Sequence, residues 1–351
     1  MHFPFRYLIL VLLGTAALAG CSLVDEDVSD CDTEYKIDYE LRLVTNMTTE
    51  LETVLDLESD IYVQDALREY LKDIFTDFAH DVDLSFYDVV PPMERLHHER
   101  RIMDANQSSY TLTIPSHEYR HLAVANIADN RLVSLESDEL CTTAKLGQEE
   151  GEMMEPHNTG LFSARLDMMV REGGHQSFEV KLYMVNCASA LVLDMADAPD
   201  IKGIEVAMTD FADTFSVSDS TFHYNVNPMV MARDLPVKSG SERCFAAVHF
   251  PSRDYRSGEE PTKVVVETTE PFEAEASDRA IWRCIVHVTL PDGEVTQSVL
   301  SIPKPIRAGQ LKILRVRVLD DGSVRPADST VGVSVALDWQ NGWDFDNIPL
   351  G

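Results

Sequence analysis

The sequence predicts a mainly β chain, with two β-rich halves of similar size compatible with a tandem pair of sandwiches and one helix inserted in the first half. Three observations carry this reading. From Tyr35 the residues alternate strictly: Tyr35, Ile37, Tyr39, Leu41 and Leu43 share one face and Lys36, Asp38, Glu40 and Arg42 the other, the period of a half-buried strand. Between Asp60 and His80 the period changes. Leu67, Leu71, Ile74 and Phe78 recur at helical spacing, Asp60 suits an N-cap, and Glu69, Lys72, Asp73 and Asp77 face outward. Beyond residue 173, seven or more short apolar runs are separated by Pro, Gly or Asp turns, which is the pattern of a sandwich.

After the helix, strand signals resume at Val82–Phe86, Tyr110–Ile114 and Leu122–Ile127, separated by charged or proline-bearing stretches such as Pro91–Arg101. The segment Leu146–Gly160, with Glu149-Glu150-Gly151-Glu152 and Pro156, reads as an exposed acidic loop, and Leu161–Val170 as the strand that closes the first domain. Arg171-Glu172-Gly173-Gly174 is the expected boundary, because two glycines permit a sharp change of direction. This gives an N-terminal sandwich over 31–172 and a C-terminal one over 173–351. The second opens on Phe178, Val180, Leu182 and Met184. It continues with strands around Ile204–Met208, Phe245–Phe250, Lys263–Thr268, Ile281–Leu290, Ser298–Ile302, Leu311–Leu319 and Val331–Leu337. Pro291-Asp292-Gly293 and Asp320-Asp321-Gly322 supply turn chemistry beside alternating runs.

At 351 residues, 44% hydrophobic and 25% charged, the chain can bury at least one full core. Its net charge of −31 repels polyanions and excludes sequence-independent binding to nucleic-acid phosphates. The long apolar stretch is at the N-terminus, where His2 and Arg6 precede Tyr7–Leu13 and small residues follow at Ala16–Gly20. It is too short to span a bilayer. Leu18-Ala19-Gly20-Cys21 looks like a bacterial lipobox, so residues 1–20 are read as a signal peptide cut between Gly20 and Cys21, with Cys21 lipidated. Two or three acyl chains would hold such a chain to a membrane near-permanently. Residues 21–30 form an acidic tether, and Asp25-Glu26-Asp27 directly behind the cysteine resembles the surface-export signal of Bacteroides-type lipoproteins.

With Cys21 lipidated, Cys31, Cys141, Cys187, Cys244 and Cys284 remain, which allows at most two disulfides in an oxidising compartment. Cys31 with Cys141 is the expected pair, since both flank N-terminal segments read as exposed. None of the cysteine spacings is a metal-ligand pattern, and no metal is expected.

One segment carries a catalytic pattern. His117-Glu118-Tyr119-Arg120-His121 matches HExxH, which on a helix would set two histidines on zinc and a glutamate on water. Its context is a strand end at Ile114-Pro115 followed by a second strand from His121, so a loop-to-strand segment with surface histidines is expected. His97-His98 lies in a charged loop, and Asp194–Asp200 lacks the spacing of an EF-hand. Neither GxSxG, nor a P-loop, nor GxGxxG occurs. The chain is read as non-enzymatic, with no cofactor.

Taken in order, these features resemble the FimB/Mfa2 family of fimbrial anchor subunits of Bacteroides-type bacteria. The resemblance rests on the lipobox at Leu18–Cys21, Cys31-Asp32-Thr33 before the first strand, the helix near 60–80, and Ile114-Pro115 through Tyr119 to Leu122-Ala123-Val124-Ala125-Asn126. It extends to Val180–Cys187 and to Val333–Trp339 with Gly342. Residues 116–117 are Ser-His where a glycine turn is expected. The resemblance implies two transthyretin-like sandwiches, a lipid-anchored place on the outer membrane, and a stalk pilin as partner. It further implies that stalk subunits lose their N-terminal strand to a protease that cuts after a basic residue, and accept a neighbour's C-terminal strand in the groove left open. An anchor keeps its first strand. In this chain the basic residues between Cys21 and the helix are Lys36 and Arg42, both inside that strand.

The run Val331-Gly-Val-Ser-Val-Ala-Leu-Asp-Trp339 has two readings: the last strand of the second sandwich, or, through Val331, Val333, Val335, Leu337, Trp339 and Trp343, a donor or partner-contact segment. For the whole chain the alternative function is a glycan- or host-protein-binding surface lipoprotein, recognising its ligand through loops 91–109 and 146–160.

Overall fold

The computed structural model describes residues 34–338, apart from 44–46, 104–108, 137–138, 149–152, 174, 199, 239, 254–280, 303 and 327–331. The principal strands of the first half are β1 (Glu34–Leu43), β2 (Asp81–Asp88), β3 (Arg95–Ile102), β4 (Ser109–Pro115), β5 (His117–Ala125), β6 (Phe162–Val170) and β7 (Gln176–Met184). They lie in the order β3-β2-β5-β6-β7-β1-β4. β6 and β7 pair only through Ser163 with Tyr183 and Phe162 with Met184. At this corner the ribbon folds into sheets of four and three strands facing each other across Ile37, Tyr39, Leu41, Leu84, Phe86 and Tyr119.

The second half contributes β8 (Cys187–Asp194), β9 (Gly203–Thr209), β10 (Glu242–His249), β11 (Trp282–Thr289), β12 (Val295–Ile302), β13 (Leu311–Val318) and β14 (Gly332–Asp338). One sheet holds β10, β8 and β13 between the short strands Arg233–Leu235 and Val324–Pro326; the other runs β14-β12-β11-β9 and ends on Met229–Met231 and Met153–Met154. Leu191, Leu193, Phe245, Leu314 and Val316 from the first meet Val206, Met208, Trp282, Val286 and Leu300 from the second. The architecture is mainly β, with two sandwiches.

The boundary differs from expectation. β7 pairs with β1 in parallel and with β6, so the run from Phe178 to Met184 completes the first sandwich rather than opening the second, and the change of sheet falls at Val185-Asn186. Asn186 is fully buried and holds this crossing: its Nδ2 donates to Thr159 O at 2.8 Å, its Oδ1 accepts from Leu161 N at 3.2 Å, and its carbonyl accepts from Gly309 N at 2.8 Å. The expected strand at 263–268 lies outside the described residues.

Two helices, not one, follow β1: α1 (Met47–Leu55) and α2 (Ile61–Leu71). Asp60 caps α2 as anticipated, accepting from Tyr62 N at 2.7 Å and Val63 N at 3.1 Å. The helix stops at Leu71 instead of reaching Phe78: Ile74 N and Phe75 N both close on Leu71 O in a final turn, and beyond it Thr76 Oγ1 accepts from Phe78 N and Asp77 Oδ1 from Thr48 N. The helix pair lies between the sandwiches. Leu51, Leu55, Val63, Leu67 and Leu71 share one core with β1 and with Ala188, Ala190, Val192, Ala246 and Val248 on the outer face of the second sandwich.

Candidate assembly interface

The residues that bear on assembly are those of the terminal strands. β1 is central in its sheet: Ile37–Leu43 pair in parallel with Gln176–Leu182, and Glu34–Glu40 antiparallel with Ser109–Pro115. Its apolar face is buried, Ile37 and Tyr39 completely. Tyr39 also carries a polar link across the sandwich. Its hydroxyl bonds to His121 Nε2, and His121 Nδ1 donates to Ser85 O at 3.0 Å, which assigns the neutral tautomer. Burial pushes the His121 imidazole down to about 4. On the outer face Lys36 is exposed, and Arg42 pairs with Glu40 at 3.0 Å and Glu179 at 3.8 Å.

β14 is an edge strand: it pairs antiparallel with β12 from Val295–Asp338 to Ser301–Gly332 and, among the described residues, has no strand on its other side. Val333, Val335 and Leu337 therefore lie on a strand of the second sandwich. Gly20, Cys21, Cys31, Val331, Trp339 and Trp343 lie outside the described residues. Cys141 is a free thiol in a one-turn helix and is buried rather than exposed. Cys187, Cys244 and Cys284 are buried too, and burial raises all four thiols, Cys244 to about 12, which keeps them unreactive.

The HExxH segment lies on β5, not on a helix. In an extended strand two histidines four residues apart stand about 13 Å apart, too far to share one ion. His121 is fully buried rather than at the surface, and among the described residues no three His, Cys, Asp or Glu are grouped to hold a metal. The same motif has a structural purpose. Tyr119 is buried with its hydroxyl donating to Pro115 O at 3.0 Å, and Ser116 Oγ closes the turn on Val170 O at 2.9 Å, replacing the expected glycine. Asn126, at φ 62, ends β5: its Oδ1 accepts from His80 N at 2.7 Å and its Nδ2 donates to Gly160 O at 2.9 Å. His97 and His98 lie on β3, an edge strand instead of a loop. His98 and Arg100 pair with the buried Asp83, and Glu99 bonds His97 and Arg101. Asp194 and Asp197 both face Arg317, which accounts for that acidic stretch.

Sequence reasoning missed three groupings: the first and third join residues 60 or more apart in the chain, and the second, nine apart, is buried only by the fold around it. Ser189 Oγ lies 2.8 Å from His249 Nε2, superficially half of a hydrolytic pair. Both are fully buried, His249 Nδ1 donates to Phe250 O at 2.7 Å, and burial lowers the imidazole to about 3, so this is a core hydrogen-bond chain. His157, pushed to about 3 by burial and by His249, bonds Gln148 at 3.1 Å. The third is charged. Arg315 on β13 pairs with Glu58 in the α1–α2 turn and, through Nη1 at 2.8 Å, with Glu242 at the start of β10. Burial and the neighbouring Asp60 push the Glu242 carboxyl up to about 7.

No protein-family profile matches the chain, and no curated protein matches it. Solved structures do match. A putative adhesin from Bacteroides ovatus aligns with a TM-score of 0.51 at 12% identity, over 89% of this chain and 97% of that one. A putative adhesin from Bacteroides ovatus ATCC 8483 aligns with a TM-score of 0.50 at 10% identity, over 86% and 96%. The fimbrial anchor protein Mfa2 from Porphyromonas gingivalis gives a TM-score of 0.46 at 10% identity, over 88% and 98%. The chain shares a fold with the two adhesins. That likeness runs along nearly the full length of each.

Proposed function

We propose that this chain is a surface lipoprotein, lipidated at Cys21, that holds a fimbria to the outer membrane and ends its growth at the base, joined to the stalk pilin by strand complementation. The observation that carries the reading is the state of β1. A strand with partners on both sides and its apolar face buried fills, among the described residues, the place where a donated strand would enter its own sandwich, as suits a subunit that ends a chain of donated strands rather than continuing it. The lipobox supplies the attachment, and the edge strand β14 offers the unpaired backbone through which a pilin would join. Replacing Cys21 by Ala is expected to release both the protein and the fimbriae into the medium, read by fractionation and electron microscopy. Release of the protein with fimbriae still on the cells would sink the anchoring role and leave an adhesin-like accessory subunit, the alternative that the description of the two adhesins favours.

Retention of β1 has its own test. Trypsin must fit an extended segment into its cleft, so bonds inside a doubly paired strand are cut only after local opening. With trypsin on the folded protein, exposed Arg131 and Arg171 are expected to be cut well before Lys36 or Arg42. Early appearance by mass spectrometry of a fragment beginning at Leu43 would mean that this chain is processed as a stalk subunit is.

A further inference from the structure

β3 leaves one edge of the first sheet open and concentrates bases on it. It pairs with β2 from Arg95 to Ile102, and beyond Arg95 no strand lies on its other side among the described residues. At its start the edge already takes a partner: Arg95 N donates to Glu139 O at 2.6 Å, and Glu94 bridges Leu140 in the antiparallel sense. Between Arg95 and Arg101 the sequence places three arginines and two histidines against the one carboxylate of Glu99, in a chain of net charge −31. Leu96, His98, Arg100 and Ile102 share the exposed face, Ile102 with 90% of its surface in solvent. Asp83 on β2, itself buried, orients the two central bases by accepting from His98 Nε2 at 3.0 Å and from Arg100 Nε at 2.5 Å. Arg100 spends only Nε on this bond, so both its Nη nitrogens lie open on a side chain 65% exposed.

We propose that this edge docks an extended acidic segment of another polypeptide, added as a further strand beside Leu96–Ile102. An incoming strand gains main-chain hydrogen bonds from the unpaired edge, and its alternate side chains meet those of β3 on the shared face. Carboxylates two residues apart then face His98 and Arg100, with apolar side chains on either flank against Leu96 and Ile102. The open end of the Arg100 guanidinium is a fork that fits a carboxylate through two hydrogen bonds. The sign of the charge separates docking from protection. Charged side chains on an edge keep strands off when the arriving strands carry the same sign. Copies of this chain are strongly acidic, so guarding against them calls for acids, and the edge bears bases. This surface is distinct from β1 and β14 and does not rest on the anchoring reading.

The test takes the chain from residue 22 onward and a fluorescent peptide, Ser-Val-Thr-Glu-Thr-Glu-Thr-Val-Ser, with binding read by anisotropy. Replacing both glutamates by glutamine is expected to weaken binding about tenfold, the order for two exposed charge pairs. Setting the glutamates at adjacent positions, so that only one can face the edge, is expected to cost about threefold. Arg100→Ala is expected to cost about fivefold. Ile102→Asp sits at a position exposed enough to spare the fold, and is expected to repel the peptide. Hydrogen exchange should show new protection at alternate amides between Leu96 and Ile102. Because the peptide variants leave the protein untouched, a poorly folded Arg100→Ala would not hide the answer. No peptide binding, binding indifferent to the glutamine replacement, or binding without protection of β3 would overturn the proposal. Capture of polygalacturonate in place of the peptide, abolished by Arg100→Ala, would overturn it in favour of an anionic glycan, and self-association abolished by the same variant would overturn it in favour of a second copy.

Discussion

Lowering the pH from 7 to about 5 is expected to destabilise the fold steeply, well before the carboxylates titrate. His121, His157 and His249 are fully buried, and burial holds their imidazoles at about 4, 3 and 3. In the unfolded chain each takes a proton near 6.5. A histidine whose folded value is depressed contributes stability that is complete above the unfolded value and is lost as the pH falls below it, because the unfolded state binds the extra protons. Glu242 acts the other way: held protonated up to about 7 in the fold, it binds a proton that the unfolded state has released. The balance near pH 5.5 is roughly two protons in favour of unfolding, a slope of about 3 kcal/mol per pH unit. Urea midpoints measured from pH 8 to pH 4.5 give this slope directly. His249→Gln is expected to lower stability at pH 8 yet flatten the curve by about one proton. A wild-type curve that is level from pH 7 to pH 5 would show that these histidines are not neutral in the fold.

What could be read in the sequence was what is periodic and local. The alternation from Tyr35 to Leu43 found β1 and its buried face, and Asp60 found the start of α2. α1 was legible but passed over: Met47, Leu51 and Leu55 recur four apart and all are buried, although three threonines weaken the helical pattern. The boundary was misplaced because glycines mark a turn without saying which sheet the next strand joins. Gly173 has φ 67 and does turn the chain, but back onto β1. Register is a non-local property, so that choice was invisible. The same holds for His121. Its surroundings in sequence are those of a surface strand, and only pairing across Phe86, with the ring stacked at 4.1 Å, buries it. Burial of β1 on both edges, on which the functional reading depends, likewise follows from β7 arriving beside it from more than 130 residues away.

Arg315→Ala is expected to cost about 1–3 kcal/mol, the range for leaving a buried acceptor such as Glu58 unpaired, since the arginine itself is partly buried, its side chain 29% exposed. The guanidinium fork reaches Glu58 from Nε at 3.0 Å and from Nη2, and Glu242 from Nη1 at 2.8 Å. The Glu58 side chain is only 2% exposed, and its carboxylate also accepts from Asp60 N at 3.1 Å. Removing the arginine leaves Glu58, Asp60 and Glu242 facing one another with the shared cation gone. Lysine keeps the charge but, as a point donor, cannot span two carboxylates, so Arg315→Lys is expected to recover only part of the loss. Glu242→Gln separates charge from shape. At pH 8 it relieves a carboxylate that burial and Asp60 both disfavour while keeping an oxygen for Arg315, and it is expected to be neutral or stabilising. Because Glu58 belongs to the helix pair and Arg315 to the second sandwich, the alanine variant is also expected to weaken coupling between the halves, splitting one denaturation transition into two. An alanine variant within 1 kcal/mol of wild type, unfolding in a single step, would mean that apolar packing around Leu51, Leu55 and Ala190 holds the halves together and that the ion pair adds no more than a surface bridge does.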